Sequence, residues 1–407
     1  MKILILSQYF PPETGAPQNR LYNLAEKLTA LGAEVEILTA FPNYPNYEKF
    51  PEHRGKIYLK EKGESGLEIH RSYIYVSKNK SIFSRLINYF SFTISSFFIG
   101  VFKLGKFDLI ICESPPLFLG ISAVFLKWIK GSQLVFNVSD LWPESAIKLG
   151  LVKNKMIIAL TTRLEEWIYS NSTKISGQTQ GIVRDIAKRF PAKNIFWLRN
   201  GVDPKEIESK LDSSNWRKNN GFEDEDLLFY FGGLLGYAQG LDCIIHAAAK
   251  LKEYQNIKFV IVGEGPEKEM LINLAKDMGT ENVYFFNGVT KNEVLNIIRS
   301  IDVAIVPLRK LDLFLGAIPS KIFEILYLKK PILLGVEGEA KELFIDNAKA
   351  GLAFEPDNSN ELVEKIKFIA GNRDKIISMG KNGHDYVCEK FDRIEIANSF
   401  FVFLKKE

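Results

Sequence analysis

The residues best suited to chemistry in this chain are Ile318-Pro319-Ser320-Lys321-Ile322-Phe323-Glu324-Ile325-Leu326. Serine after proline makes an N-cap, so a helix is expected to begin at Lys321. A cation in the first turn is disfavoured by the positive end of the helix dipole, by a few tenths to about 1 kcal/mol. A bound anion reverses that sign. Pro319, Ser320 and Lys321, with the free amides of the turn, would then hold a diphosphate. Glu324 lies one turn further on, and its two oxygens can accept from both hydroxyls of a ribose. The competing reading is a capped helix with a well-placed glutamate and a surface lysine.

Two glycine-rich turns could serve the same anion. Gly232-Gly233-Leu234-Leu235-Gly236-Tyr237-Ala238-Gln239-Gly240 follows an apolar run. Its glycines would let backbone amides approach phosphates. It lacks the Gly-Lys-Ser/Thr ending of a P-loop, and an ordinary structural turn explains it equally well. In Gly263-Glu264-Gly265-Pro266 the glycines are assigned to architecture and Glu264 to substrate.

Nearer the start, Pro11-Pro12-Glu13-Thr14-Gly15-Ala16-Pro17 follows the first apolar run. Gly15 is placed to bring backbone to a phosphate or sugar, with plain turn chemistry as the alternative. Asn137-Val138-Ser139-Asp140-Leu141-Trp142-Pro143-Glu144 closes another run. Two carboxylates and an indole there are costly to bury without a purpose. Asp140 is the candidate to orient a sugar hydroxyl or take an acceptor's proton, with Glu144 second. Glu13, Thr14 and Trp142 are assigned to the acceptor. Acids stabilising a helix start are the simpler account of Asp140 and Glu144.

The elements that must position these residues follow from periodicity. Short apolar runs at 2–7, 35–39, 109–112, 134–138, 174–176 and 195–198 alternate with amphipathic stretches such as 20–31. That rhythm predicts a parallel sheet covered on both faces. A polar, charged stretch follows from 204 to 226, and the rhythm restarts at 227–231, 258–262, 283–286, 303–306, 332–334 and 352–354. The expected class is therefore α/β with two doubly wound domains, 1–203 and 204–385. A final helix, about 386–407, carries the exposed-looking Phe400, Phe401 and Phe403 and is expected to pack back on the first domain. Ligands of such sheets bind at the carboxyl ends of the strands, which would place the active site in a cleft between the domains.

Composition narrows the class further. The 407 residues suit two domains, and a net charge of +4 without a dense basic face argues against nucleic acid. Cys112, Cys243 and Cys388 are far apart and read as free thiols in a reducing compartment, and no spacing suggests zinc. Met1-Lys2 runs straight into Ile3-Leu4-Ile5-Leu6, a strand and not a secretion signal, so a cytoplasmic location is expected. The segment 82–104 concentrates Phe83, Tyr89, Phe90, Phe92, Phe97, Phe98 and Phe102. It approaches the ~20 residues that span a bilayer, but Arg85, Asn88 and five Ser or Thr interrupt it. With Lys78, Lys80, Arg85, Lys103 and Lys106 around it, it reads either as an interfacial helix on anionic lipid or as ordinary packing against the sheet.

Together these motifs resemble the retaining family-4 glycosyltransferases of GT-B fold, especially those that build bacterial O-antigen and capsule. The resemblance runs end to end on Tyr9-Phe10-Pro11-Pro12-Glu13, Asp140-Leu141-Trp142-Pro143-Glu144-Ser145, Asn200-Gly201-Val202-Asp203, Gly236 with Gln239-Gly240-Leu241, Gly263-Glu264-Gly265-Pro266 and Pro319-Ser320-Lys321. It implies a UDP-sugar donor on the C-terminal half, with Glu324 on the ribose, Lys321 near the diphosphate, and Asn287-Gly288-Val289 meeting the base through its backbone. It further implies retention, no metal, no other cofactor, and a polyprenyl-diphosphate-linked acceptor at the inner face of the membrane. Three features depart from the family. Gly316 stands where a glutamate is usual, Gly233 and Gln239 replace Arg and Lys in the glycine loop, and Asp140 occupies the stretch where many members carry histidine. The diphosphate then depends on Lys321, helped by Arg309 or Lys310. Asp224-Glu225-Asp226 falls in the expected linker and is rejected as a manganese site. Rival classes are a GT-B nucleotide-sugar 2-epimerase and a non-catalytic binding protein of two α/β lobes, the latter normally carrying an export signal.

Overall fold

The computed structural model describes residues 1–13, 15–43, 48, 50–63, 65–78, 81–148, 152–213 and 215–406. The chain divides into two compact units, Met1–Asn200 with Arg393–Glu407, and Gly201–Asp392.

The first unit is built on eight strands: β1 (Lys2–Ser7), β2 (Glu34–Ala40), β3 (Tyr58–Lys62), β4 (Glu68–Ser72), β5 (Leu109–Ser114), β6 (Gln133–Val138), β7 (Lys174–Gly177) and β8 (Asn194–Trp197). Their order is β3-β4-β2-β1-β5-β6-β7-β8, parallel throughout except for the antiparallel pair β3–β4. Alternation of side chains sends successive residues to opposite faces. Ile3, Ile5, Ile37 and Ile111 enter one core with Leu21, Leu24 and Leu28 of the helix Ala16–Ala30. Leu4, Leu6, Leu38 and Cys112 enter the other with Phe92, Val124 and Ile168 from three further helices. Covering both faces is what makes the strands read as unbroken apolar runs.

The hairpin β3–β4 has no such run. Its outer strand, Tyr-Leu-Lys-Glu-Lys, is charged and half-exposed, which suits a sheet edge that must not pair further. The helix Arg393–Lys405 belongs to this unit. Its aromatics look exposed in sequence, yet Phe400 is fully buried, Phe401 is buried and Phe403 partly so. The rings of Phe400 and Phe403 meet Phe196 at 5.2 and 5.1 Å, and Lys174 donates to the carbonyls of Phe403 and Leu404 at the helix end. The helix starts at Arg393, because residues 386–390 finish the helix Arg373–Lys390 of the second unit.

The second unit has six parallel strands: β9 (Leu227–Gly232), β10 (Ile257–Val262), β11 (Val283–Phe286), β12 (Val303–Pro307), β13 (Ile332–Gly335) and β14 (Gly351–Ala353). Their order is β11-β10-β9-β12-β13-β14. Both sheets are doubly wound, with switch points between β1 and β5 and between β9 and β12. Ligands of open α/β sheets sit outside the carboxyl ends of strands at those points. Residues 224–226, expected in a linker, lie inside the second unit, just before β9.

Candidate active site

In the second unit the switch point is lined by the turn after β9 and the helix Lys321–Tyr327. Gly232 is required by packing, since a Cβ there would meet the Tyr230 hydroxyl at 1.8 Å. Gly233 has φ +139, and a Cβ on it would stand 3.0 Å from the ammonium of Lys321. Lys321 also lies over the Phe231 ring, 3.9 Å from its centroid. Two motifs 88 positions apart thus converge, and a larger residue at 233 would push the ammonium aside.

Lys321 makes no hydrogen bond or ion pair among the described residues. Desolvation pulls its pKa down to about 7, so the ammonium is only partly charged at neutral pH. A diphosphate placed there would restore that charge.

The neighbouring cations are already committed. Arg309 donates to Asp242 and Asp357 at 3.1 and 3.0 Å and to the carbonyl of Tyr237 at 3.2 Å. Lys310 pairs with Glu355. The expectation that Arg309 or Lys310 supports the diphosphate is therefore corrected. These side chains clamp the loop after β12 to Asp242, Glu355 and Asp357, and the sequence does not display those acids as their partners.

Ser320 is a second correction. It has helical dihedrals (φ −61, ψ −25), is exposed, and its hydroxyl makes no capping bond. Pro319 already accepts the Ile322 amide at 3.1 Å, so the helical turn begins before Ser320. The helix is only 7 residues long, and its field is confined to the end turn. The site therefore leans on the charge of Lys321 more than on a dipole.

Glu324, one turn beyond, lies 3.5 Å from Lys291, which in turn bonds Glu206 at 2.5 Å. Burial alone would raise Glu206, but Lys210 and Lys291 outweigh it and hold its pKa at about 2. Lys291 escaped the sequence reading; its only signal was its place at the start of a helix. Glu264 accepts from Lys268 at 2.8 Å and from the Gly288 amide at 3.1 Å, and Lys268 also donates to Asn287 at 2.7 Å. Glu264 and Asn287 are thereby brought together, and the half-exposed Val289 follows them. Gly263 and Gly265 are architectural, since a Cβ would meet the Gly233 carbonyl at 1.9 Å and the Leu235 carbonyl at 2.2 Å. Gly236 precedes the short 3-10 turn Tyr237–Gln239, and Gln239 is its last residue.

In the first unit, the loop after β1 carries Glu13, buried, accepting the Asn43 amide at 2.7 Å. Glu13 therefore braces the segment after β2. Thr14 lies outside the described residues. Gly15 is extended, and a Cβ there would meet Gln18 Oε1 at 2.4 Å. After β6, Ser145 donates to Asp140 at 2.5 Å. Asp140 retains exposed surface, yet desolvation of its carboxyl raises its pKa, and the charge of Glu144 adds to this while Ser145 and the Leu141 amide oppose it. Glu144 opens the helix Glu144–Lys148. Trp142 packs edge-on against Phe118 at 5.6 Å, so much of its indole is spent on the core.

The sequence reading also missed the pair beneath this loop. Glu113, the buried carboxylate in β5, accepts from Arg20, from the Ser139 hydroxyl and from Asn137 at 2.6 Å. Arg20 reaches Ser139 as well, at 2.8 Å. A carboxylate near the end of an otherwise apolar strand was the available signal. The cluster Glu36, Glu68 and His70 has metal-like proximity, but Glu36 is held by Lys2 at 2.8 Å and His70 at 3.1 Å, and Glu68 by Lys60 at 3.0 Å.

Comparison with known proteins bears on both units. Residues 15–201 match the glycosyl transferase 4-like domain, and residues 212–386 match glycosyl transferases group 1. The putative colanic acid biosynthesis glycosyl transferase WcaI of Escherichia coli K12 is 26% identical over 376 residues, 90% of this chain and 91% of that protein. Among solved structures, sucrose-phosphate synthase of Thermosynechococcus elongatus superposes with a TM-score of 0.73 at 15% identity, covering 99% of this chain and 98% of the other. Anabaena Alr3699/HepE, solved with UDP-glucose, gives 0.71 at 15% identity, covering 99% of each. The fold is GT-B.

Proposed function

Because the chain belongs to the group 1 glycosyltransferases, a retaining family, we propose that it moves a hexose or N-acetylated amino sugar from a UDP-linked donor to a lipid-linked saccharide in surface polysaccharide synthesis. Support for the donor class comes from Alr3699/HepE, solved with UDP-glucose, and for the pathway class from WcaI, named for colanic acid biosynthesis. The reading places the enzyme at the inner face of the cytoplasmic membrane.

The observation that carries the reading is Lys321, an ammonium with no carboxylate partner among the described residues, set against the glycine turn at a switch point while Arg309, Lys310 and Lys291 are paired. In the proposed reaction the diphosphate rests on Lys321 and the backbone of Gly232 and Gly233, and Glu324 accepts from the ribose. Asn287 and Val289 meet the base, backed by Glu264. Lys321 stabilises the charge that grows on the departing UDP, commonly the largest lever a transferase has. The acceptor oxygen bonds to the anomeric carbon on the face the phosphate leaves, and its proton passes to the departing phosphate oxygen. Asp140, with Glu144 beside it, orients the acceptor hydroxyl, and Glu13 and Trp142 shape the acceptor side.

Lys321→Ala is expected to lower turnover roughly 100-fold or more, as loss of an electrostatic stabiliser does. Steady-state rates with UDP-sugars and membrane-extracted acceptor check this, and near-normal turnover removes Lys321 from the mechanism. A thermal-shift screen of UDP, GDP and ADP tests the nucleotide, with UDP expected to stabilise most.

A further inference from the structure

We propose that the first unit carries a membrane-docking face, built from three helices, that seats in the headgroup region of an anionic bilayer. It lies within the first unit and does not depend on the transferase reading.

The face begins on the helix Ile82–Lys103. Phe83, Ile87, Phe90, Ile94, Phe98 and Phe102 recur at three- and four-residue spacing and form one exposed stripe, with Phe83 and Phe102 73% and 74% exposed. By length and composition this helix could cross a bilayer. Its other side prevents that. Phe92 and Ser96 are fully buried, Asn88 donates to the Tyr75 carbonyl at 2.6 Å, and Ser91 accepts the Tyr75 amide at 2.8 Å. Ser96 bonds Ser122 of the next helix at 3.1 Å. The serines that break the apolar run are the groups that stitch the helix to the protein. It therefore lies flat, offering lipid about 33 Å of apolar length at 1.5 Å per residue.

Two more helices continue the stripe. Phe97 meets Phe125 of the helix Leu119–Lys130 at 6.1 Å, and the exposed Phe125, Trp128 and Ile129 extend the surface. Trp128 meets Trp167 of the helix Lys155–Asn171 at 6.0 Å. Trp167 shares a helical face with Leu164, Leu160 and Ile157, of which Leu160 is 68% exposed. Contiguous apolar surface on this scale marks an interaction site.

Charge selects the occupant. No acid occurs between Glu68 and Asp108, and neither of the first two helices contains one. Exposed Arg85, Lys103, Lys106 and Lys155 border the stripe. Apolar groups rimmed by cations match the acyl boundary and phosphates of anionic lipid. A second copy of this chain would oppose like charge to like.

The test floats the full-length protein on phosphatidylcholine vesicles with and without phosphatidylglycerol. Wild type is expected to float with the anionic vesicles and to be released by salt. Phe98→Ser/Phe102→Ser/Trp128→Ser, all at exposed positions, should partition at least ~10-fold less, and Arg85→Glu/Lys103→Glu/Lys106→Glu should lose the preference for phosphatidylglycerol. Circular dichroism and the thermal unfolding transition of the first unit, read on the same samples, should match wild type and show that the variants are folded. Wild type left unbound by anionic vesicles, or serine variants that float equally well, overturns the proposal. So does a dimer, seen by light scattering, that the serine substitutions dissolve without any lipid effect.

Discussion

At the scale of single residues, Lys321 and Glu324 divide the donor between them, and separate measurements should show it. Glu324→Ala is expected to weaken UDP by roughly 10-fold or more, the loss of a charge-assisted hydrogen bond of about 1.5–3 kcal/mol, with a smaller effect on turnover. Calorimetry with UDP checks this, and an unchanged dissociation constant removes the ribose contact. Asp140 makes a different prediction. Its pKa is raised by desolvation, so the ionised form that accepts a hydrogen bond from the acceptor hydroxyl and orients it is lost at a higher pH than for an ordinary aspartate. The acid limb of kcat should shift upward accordingly, and Asp140→Asn should abolish that limb together with most activity. Lys321 and Glu324 were legible because an i, i+3 cation and carboxylate at a helix start is a short-range pattern. Arg309 was misread because its acids, Asp242 and Asp357, are 67 and 48 residues away, and ion pairing at that distance leaves no local trace.

At the scale of elements, the strands were legible wherever both faces are covered, since a buried parallel strand cannot hide its apolar run. The hairpin β3–β4 was not, because an edge strand needs charge where a central one needs valine. Ser320 shows the same limit at a helix end: sequence names a good cap, while backbone dihedrals decide whether it is used. Two element-level predictions follow from the packing. Gly263→Ala would force a Cβ to within 1.9 Å of the Gly233 carbonyl at a φ of +153, and should destabilise the second unit by about 2 kcal/mol or more. Denaturant unfolding checks it. Glu206, which joins the helix Pro204–Glu208 to the helix Lys291–Ser300 through Lys291, titrates at about 2 against 4.5 ordinarily. A depressed carboxylate stabilises the fold above its unfolded pKa, and that contribution disappears as pH falls from 4.5 through 2. Glu206→Gln should remove up to ~3 kcal/mol at neutral pH and flatten the loss of stability across that acid window.

At the scale of the whole molecule, the restart of the strand rhythm after 226 made two sheets visible, because each doubly wound sheet repeats the same alternation. The return of the chain was harder to place. Phe400 and Phe401 look like surface aromatics until the face they cover, Leu21, Leu24 and Leu28 over Ile3 and Ile5, is known. Phe400→Ala should cost about 3–5 kcal/mol in the first unit, as large core truncations do, while leaving UDP affinity in the second unit unchanged. Differential scanning calorimetry with and without UDP separates the two transitions. A parallel fall in UDP affinity would contradict the division of labour between units.

The most direct test is the pH dependence of UDP binding. Lys321 is near half-protonated at pH 7 when the site is empty, and an anion should recharge it. Isothermal titration between pH 6 and pH 9 should show proton uptake with wild type and affinity falling toward tenfold per pH unit above about 7. Lys321→Arg, always charged, should bind without proton uptake, and Lys321→Met should bind weakly at every pH. Equal affinity and equal proton uptake in wild type and Lys321→Met would contradict a diphosphate seated on that lysine.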